Sequence, residues 1–149
     1  MILDKLTVFD WQAALTATRA STDSLDLVNA RDLGFSYGTE PELIIRTLVT
    51  TALVSGGSST LTLSFQGSTD GNTWTTYVSS PAIAKADLVA GYRYDMAWAP
   101  RLSGGAMPQY IRMYYTVGTT DFTAGALSSF VVLGVQNNHA YPQAVNVQN

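Results

Sequence analysis

The segment Leu61-Thr-Leu-Ser-Phe-Gln alternates strictly between apolar and polar residues, so Leu61, Leu63 and Phe65 share one face of an extended chain. A helix would scatter those three residues around its circumference, whereas a strand turns them all toward one core. The segment then runs through Ser68-Thr-Asp-Gly-Asn-Thr-Trp into Trp74–Val78. An Asp-Gly pair between two β-forming runs is a hairpin signal, because Gly accepts the positive φ that the turn requires. The same grammar recurs along the chain. Leu25-Asp-Leu27 alternates. Residues 43–54 are rich in β-branched side chains, with apolar residues of both parities, which predicts an interior strand or one covered on both sides. Tyr92, Tyr94, Met96 and Trp98 share a parity and read as core. In residues 109–117, Ile111, Met113, Tyr115 and Val117 face one way while Tyr110, Arg112 and Tyr114 face the other. Phe130–Leu133 is apolar on both faces, as in a strand sealed within a sandwich. Only Ala82–Ala90 has useful helix propensity, enough for a loop with one short helical piece.

These pieces predict an all-β, jelly-roll-like β-sandwich of about eight strands over residues 1–134, with an extended C-terminal arm over 135–149. The longer Gly- and Pro-rich connections favour Greek-key or jelly-roll crossings over a meander. The arm holds four Asn, three Gln, one Pro and no Asp, Glu, Lys or Arg, a composition that is either disordered or laid on a partner. Residues 1–11 are the opposite case, with Ile2, Leu3, Leu6, Val8, Phe9 and Trp11. So much apolar surface must be buried in the domain's own first strand or against a partner.

The composition excludes several classes of function. Eight Lys and Arg against eleven Asp and Glu give a net charge of −3, a poor match to nucleic acid, whose binding rests on neutralising phosphates. No unbroken apolar run is longer than Phe130–Leu133, far short of the ~20 residues that cross a bilayer as a helix, and the first residues lack the pattern of a signal peptide. There is no Cys, hence no disulfide scaffold and no thiol chemistry. His139 is the only histidine and lies in the polar arm, so histidine-based acid–base chemistry and an ordinary zinc site lack the side chains they need, while a pair of carboxylates facing each other across a cleft stays open. The carboxylates mostly sit beside turn residues, where Asp accepts local backbone hydrogen bonds. Asp70-Gly71-Asn72 supplies too few oxygens for calcium. The expectation is a protein without catalytic activity and without cofactor or metal.

Further residues carry a resemblance. Met1-Ile-Leu-Asp-Lys, Gln12-Ala-Ala-Leu-Thr-Ala-Thr, Ser21-Thr-Asp-Ser-Leu-Asp-Leu, Ala86-Asp-Leu-Val-Ala-Gly, Pro108-Gln-Tyr-Ile-Arg-Met-Tyr-Tyr-Thr-Val-Gly and Phe122-Thr-Ala-Gly, in that order, resemble the capsid cement (decoration) proteins of short-tailed bacteriophages. Gln109 stands where that family usually has a basic residue, and the tail beyond Gly134 is long and uncharged. The resemblance implies a jelly-roll virion protein, a homodimer or other homo-oligomer, made in the host cytoplasm and bound to the outer surface of the capsid. There it would clamp neighbouring copies of the major capsid protein. The residues expected to touch partners are Ile2, Leu3, Leu6, Phe9 and Trp11 at one end, the stripe Tyr110, Arg112 and Tyr114, and Tyr141 and Pro142 in the arm. Trp74, next to the Asp-Gly turn, supports the alternative of a carbohydrate- or receptor-binding module of a phage fibre; its ordinary role would be to start a strand and pack inward.

Overall fold

The computed structural model describes residues 5–29, 43–97 and 108–133. Among these, ten strands form two antiparallel sheets: β1 (Val8–Ala14), β2 (Arg19–Ala20), β3 (Leu25–Asp26), β4 (Leu43–Val54), β5 (Thr60–Ser68), β6 (Thr75–Ser79), β7 (Ile83–Ala84), β8 (Arg93–Ala97), β9 (Tyr110–Gly118) and β10 (Ala124–Leu133). The first sheet runs β1-β10-β4-β8, and the second runs β2-β9-β5-β6, with β3 also on β9 and β7 also on β5. Single 3-10 turns cover Lys5–Thr7 and Lys85–Asp87. The second is the short helical piece expected in Ala82–Ala90.

Two of the edges are single strands with an interruption. β2 and β3 pair consecutively with Tyr115–Tyr114 and Ile111–Tyr110 of β9. β6 and β7 do the same along β5. The second break falls at Pro81, which has no N–H to offer; Ser80 keeps the strands in register through its own N–H to the Leu63 carbonyl and its hydroxyl accepting from the Leu63 N–H. Counted this way there are eight strands, in the order first, eighth, third, sixth in one sheet and second, seventh, fourth, fifth in the other. That is the winding of a jelly roll, and the all-β sandwich expected from the sequence is the fold.

The core lies between the sheets. Ile45, Val49 and Leu53 of β4, Leu127 and Val131 of β10, Phe9 of β1 and Met96 of β8 meet Leu61, Leu63 and Phe65 of β5 and Ile111, Met113 and Tyr115 of β9. Tyr92 and Tyr94 pack against this core partly buried, as their shared parity with Met96 predicts, while Trp98 lies outside the described residues. β4 and β10 are interior strands with buried residues of both parities: Phe130, Val132 and Arg46 are buried although they stand outside the central cluster. Arg46 makes a two-pronged ion pair with its cross-strand neighbour Asp95, Nε to Oδ1 at 2.7 Å and Nη2 to Oδ2 at 2.8 Å.

One layer of the core is polar. Asp10, Thr47 and Ser129 are almost fully buried on the first sheet, and the Thr47 and Ser129 hydroxyls are 2.8 Å apart. From the second sheet, the Tyr115 hydroxyl donates to Asp10 Oδ2 at 2.7 Å. Arg19 Nη1 lies 3.2 Å from Asp10 Oδ1, and its guanidinium sits 5.2 Å from the centre of the Tyr115 ring. Between β2 and β3 the chain leaves its sheet and crosses to the β1 edge. There the Asp23 N–H bonds to the Phe9 carbonyl, and Thr22 gives Asp10 Oδ1 both its N–H (3.1 Å) and its hydroxyl (2.6 Å). A carboxylate removed from water demands such partners. Here they come from both sheets, so one side chain fastens the two layers.

Removing one member should therefore cost far more than an average substitution. Asp10→Ala is expected to lower unfolding free energy by about 3–5 kcal/mol, because it strands the other buried polar groups, while Tyr115→Phe should cost roughly 1–2 kcal/mol. Denaturant titration of both variants checks this; a loss below ~1 kcal/mol for Asp10→Ala would show that the layer does not fasten the sheets. Burial, then the neighbouring Asp10, pushes the Tyr115 phenol well above its ordinary value. The folded state thus keeps a proton that the unfolded chain releases near pH 10. The Tyr115 contribution to stability should be complete below that pH and fall as pH rises above it, with the tyrosinate absorbance of this residue appearing only on unfolding.

Candidate functional site

Two surfaces gather the residues that sequence reasoning singles out. The first lies on the side of the second sheet turned away from the core. Alternation in β9 points Ile111, Met113 and Tyr115 inward, fully buried, and leaves Tyr110, Arg112 and Tyr114 half-buried on the outer side. Their cross-strand neighbours on β5 are Ser68, Gln66 and Ser64, and the outer partners on β6 are Thr76 opposite Gln66 and Ser79 opposite Ser64. The face is completed by Ala20 opposite Tyr114, Asp26 opposite Tyr110, Thr62 opposite Thr116, and Ala84 opposite Thr60. No aliphatic side chain larger than alanine occurs among these pairs.

The centre of this face is Arg112. Its guanidinium carbon lies 3.9 Å from the centre of the Trp74 ring and 5.5 Å from that of Tyr114. Arg112 Nε donates to Gln66 Oε1 at 2.9 Å, and Gln66 Nε2 donates to Thr76 Oγ1 at 3.1 Å, so the amide that holds the arginine is itself held. Trp74 does not pack into the core as its ordinary role would have it; it leaves the hairpin and lies half-buried on the arginine. The Asp-Gly turn supplies this placement. Gly71 has φ +75, as the turn chemistry predicts, and stands against the Tyr110 ring. Asp70 Oδ1 accepts the N–H groups of Asn72 and Thr73 and the Ser68 hydroxyl. These bonds, that of Thr73 foremost, hold the exposed Asp70 carboxyl down at about 2.

Arg112 has no carboxylate partner among the described residues, whose ion pairs are Arg19–Asp10 and Arg46–Asp95. Burial lowers its pKa, with the nearby Tyr114 acting in the opposite direction. The two acids nearest in register are engaged elsewhere: Asp70 in its turn, and Asp26 with the Val28 N–H at 2.7 Å and the Gln109 amide at 3.2 Å.

The second surface is the rim of β1. Leu6 is 80% exposed and Trp11 60%. With Lys5, Val8 and Asp23, Trp11 borders a groove of about 420 Å³. A register irregularity in β1 buries both Phe9 and Asp10 and leaves Trp11 on the solvent side. Phe9 therefore needs correcting: it is fully buried in the core and presents nothing to a partner. Ile2, Leu3, Tyr141 and Pro142, with the C-terminal arm, lie outside the described residues. The stripe on β9 and the N-terminal segment are legible in the sequence; the placement of Trp74 on Arg112, which joins residues 38 positions apart, is not.

The fold and these two surfaces define a jelly-roll sandwich that presents aromatic side chains to its surroundings on two separate faces. A family model matches residues 9–131, nearly the whole described sandwich. The chain belongs to the Bbp16 family, a phage-associated family. No curated protein matches it.

Lowering the pH should loosen the turn that carries Trp74. A depressed carboxyl contributes stability that is complete above its unfolded value, roughly 3.9, and disappears as pH falls through about 2. The Asn72 and Thr73 amide resonances should titrate together with that low midpoint. A midpoint near the ordinary carboxylate value would mean that the turn does not hold Asp70 as described.

Proposed function

We propose that this chain is a cement protein, bound to the outer surface of a phage head and bridging neighbouring major capsid subunits without catalysing any reaction. The observation that carries the reading is the exposed apolar rim at Leu6 and Trp11 on a protein of a phage-associated family. A cement protein needs surface rather than chemistry: a ligand that binds only the assembled shell stabilises that shell by mass action. The low charge of the chain suits broad contact, since interface centres are depleted in Lys, Glu and Asp. A large exposed tryptophan beside a groove is the kind of anchor that dominates interface energetics. Self-association into a homodimer or higher oligomer belongs to the same reading, because β1 is an edge strand of its sheet.

The test adds purified protein to expanded heads that lack it and measures occupancy and heat resistance. Trp11→Ala should weaken binding by roughly 30-fold or more, as loss of an anchor does, and Leu6→Ser should weaken it less, both with unchanged folding. Deleting residues 138–149 should leave a folded protein with weakened attachment. Heads that take up Trp11→Ala as readily as the parent, or that withstand heating equally with and without the protein, would overturn the proposal.

A further inference from the structure

We propose that the outer face of the second sheet, centred on Trp74, Arg112 and Tyr114, is a binding site for a carboxylate-bearing saccharide. This goes beyond the capsid reading and does not depend on it. Three observations carry it. First, the face is built of aromatic rings, hydroxyls, the Gln66 amide, two alanines and, at its Tyr110 end, the Asp26 carboxylate, and its paired positions hold no aliphatic residue larger than alanine. A polyol asks for ring faces against its C–H groups and short hydroxyl partners around them, which Trp74, Tyr114 and the flanking serines and threonines supply. Second, Arg112 is oriented before any ligand arrives, placed over the Trp74 ring at 3.9 Å and tied through Nε to Gln66 at 2.9 Å. Fixing a guanidinium in advance reduces the ordering cost of binding. Third, no carboxylate of the described chain pairs with Arg112, while Asp70 is held by its turn and Asp26 by Val28 and Gln109. Among the described residues the Arg112 guanidinium thus has no carboxylate in ion-pair contact with it.

The guanidinium edge away from Gln66 takes the sugar carboxylate, and the rings of Trp74 and Tyr114 take the pyranose. Arg112 is the specificity residue, since a neutral sugar gains the stacking alone. The Leu6–Trp11 rim belongs to the other sheet, so a copy attached through that rim leaves the saccharide face free.

The experiment is an NMR titration of the full chain, following the Trp74 indole N–H, with trigalacturonate and sialyllactose as acidic probes and maltotriose as the neutral one. Calorimetry supplies the affinities. Saturable shifts with at least one acidic probe, and binding of maltotriose at least about tenfold weaker, are expected, the difference reflecting a charged hydrogen bond. Arg112→Gln should remove that preference while retaining weak stacking. Arg112→Lys, which keeps the charge but loses the planar fork, should recover only part of it. Trp74→Ala should abolish binding by every sugar; its melting temperature and that of Arg112→Gln establish that the sandwich is intact. The absence of saturable shifts with both acidic sugars overturns the proposal, as does equal affinity for maltotriose. Binding of hexaglutamate in place of the sugars would assign the face to an acidic protein partner and likewise overturn it.

Discussion

A carboxylate buried between the two layers of a β-sandwich organises this molecule. Asp10 sits where an ordinary sandwich would have a leucine, and it is tolerated because hydrogen bonds reach it from Tyr115, Thr22 and Arg19. These partners come from two distant stretches of chain, residues 19–22 and β9, and both must arrive for the charge to be satisfied. Hydrophobic contact is non-directional and permits many pairings of two greasy sheets; a buried acid with directional partners discriminates among them. The irregularity in β1 that turns both Phe9 and Asp10 inward is thus part of how the two layers are matched, and it also brings Trp11 to the outside.

The two exposed aromatic surfaces have different local origins. Trp11 is exposed because its strand is irregular next to Asp10. Trp74 is on the surface because an aspartate-anchored turn delivers it onto Arg112. One surface is apolar with a groove, and the other is a flat field of hydroxyls around a stacked cation. The first belongs to the β1 edge of one sheet and the second to the outer side of the other.

Much of this was legible in the chain itself. Alternation in residues 61–66 and 109–117, the Asp-Gly turn and the two-sided apolar content of residues 43–54 identified the strands that occupy the middle of each sheet, because central strands bear the clearest burial pattern. Edge strands were harder. β2–β3 and β6–β7 are short and interrupted, and their pairing is maintained by side chains such as Ser80 that no periodicity reveals. The polar layer was invisible for a related reason: Asp10 is one of eleven acidic residues, and only the register of β1, β9 and β10 shows that it meets Tyr115 and Ser129. Phe9 looks like its apolar neighbours in the sequence, yet the same irregularity turns it into the core. The stripe on β9 was readable from parity, yet the tryptophan that completes it comes from a hairpin whose direction depends on one turn.

The pairing of β1 with β10 has a consequence for how the protein comes into being. Val8 lies opposite Phe130, so the earliest strand hydrogen-bonds to the latest, and the sheet between them cannot close until nearly the whole sandwich has left the ribosome. Folds dominated by such distant pairings form slowly. Until closure Asp10 remains in water and the layers have nothing to align them. Closure of the first sheet is therefore a late step that needs β10 in place.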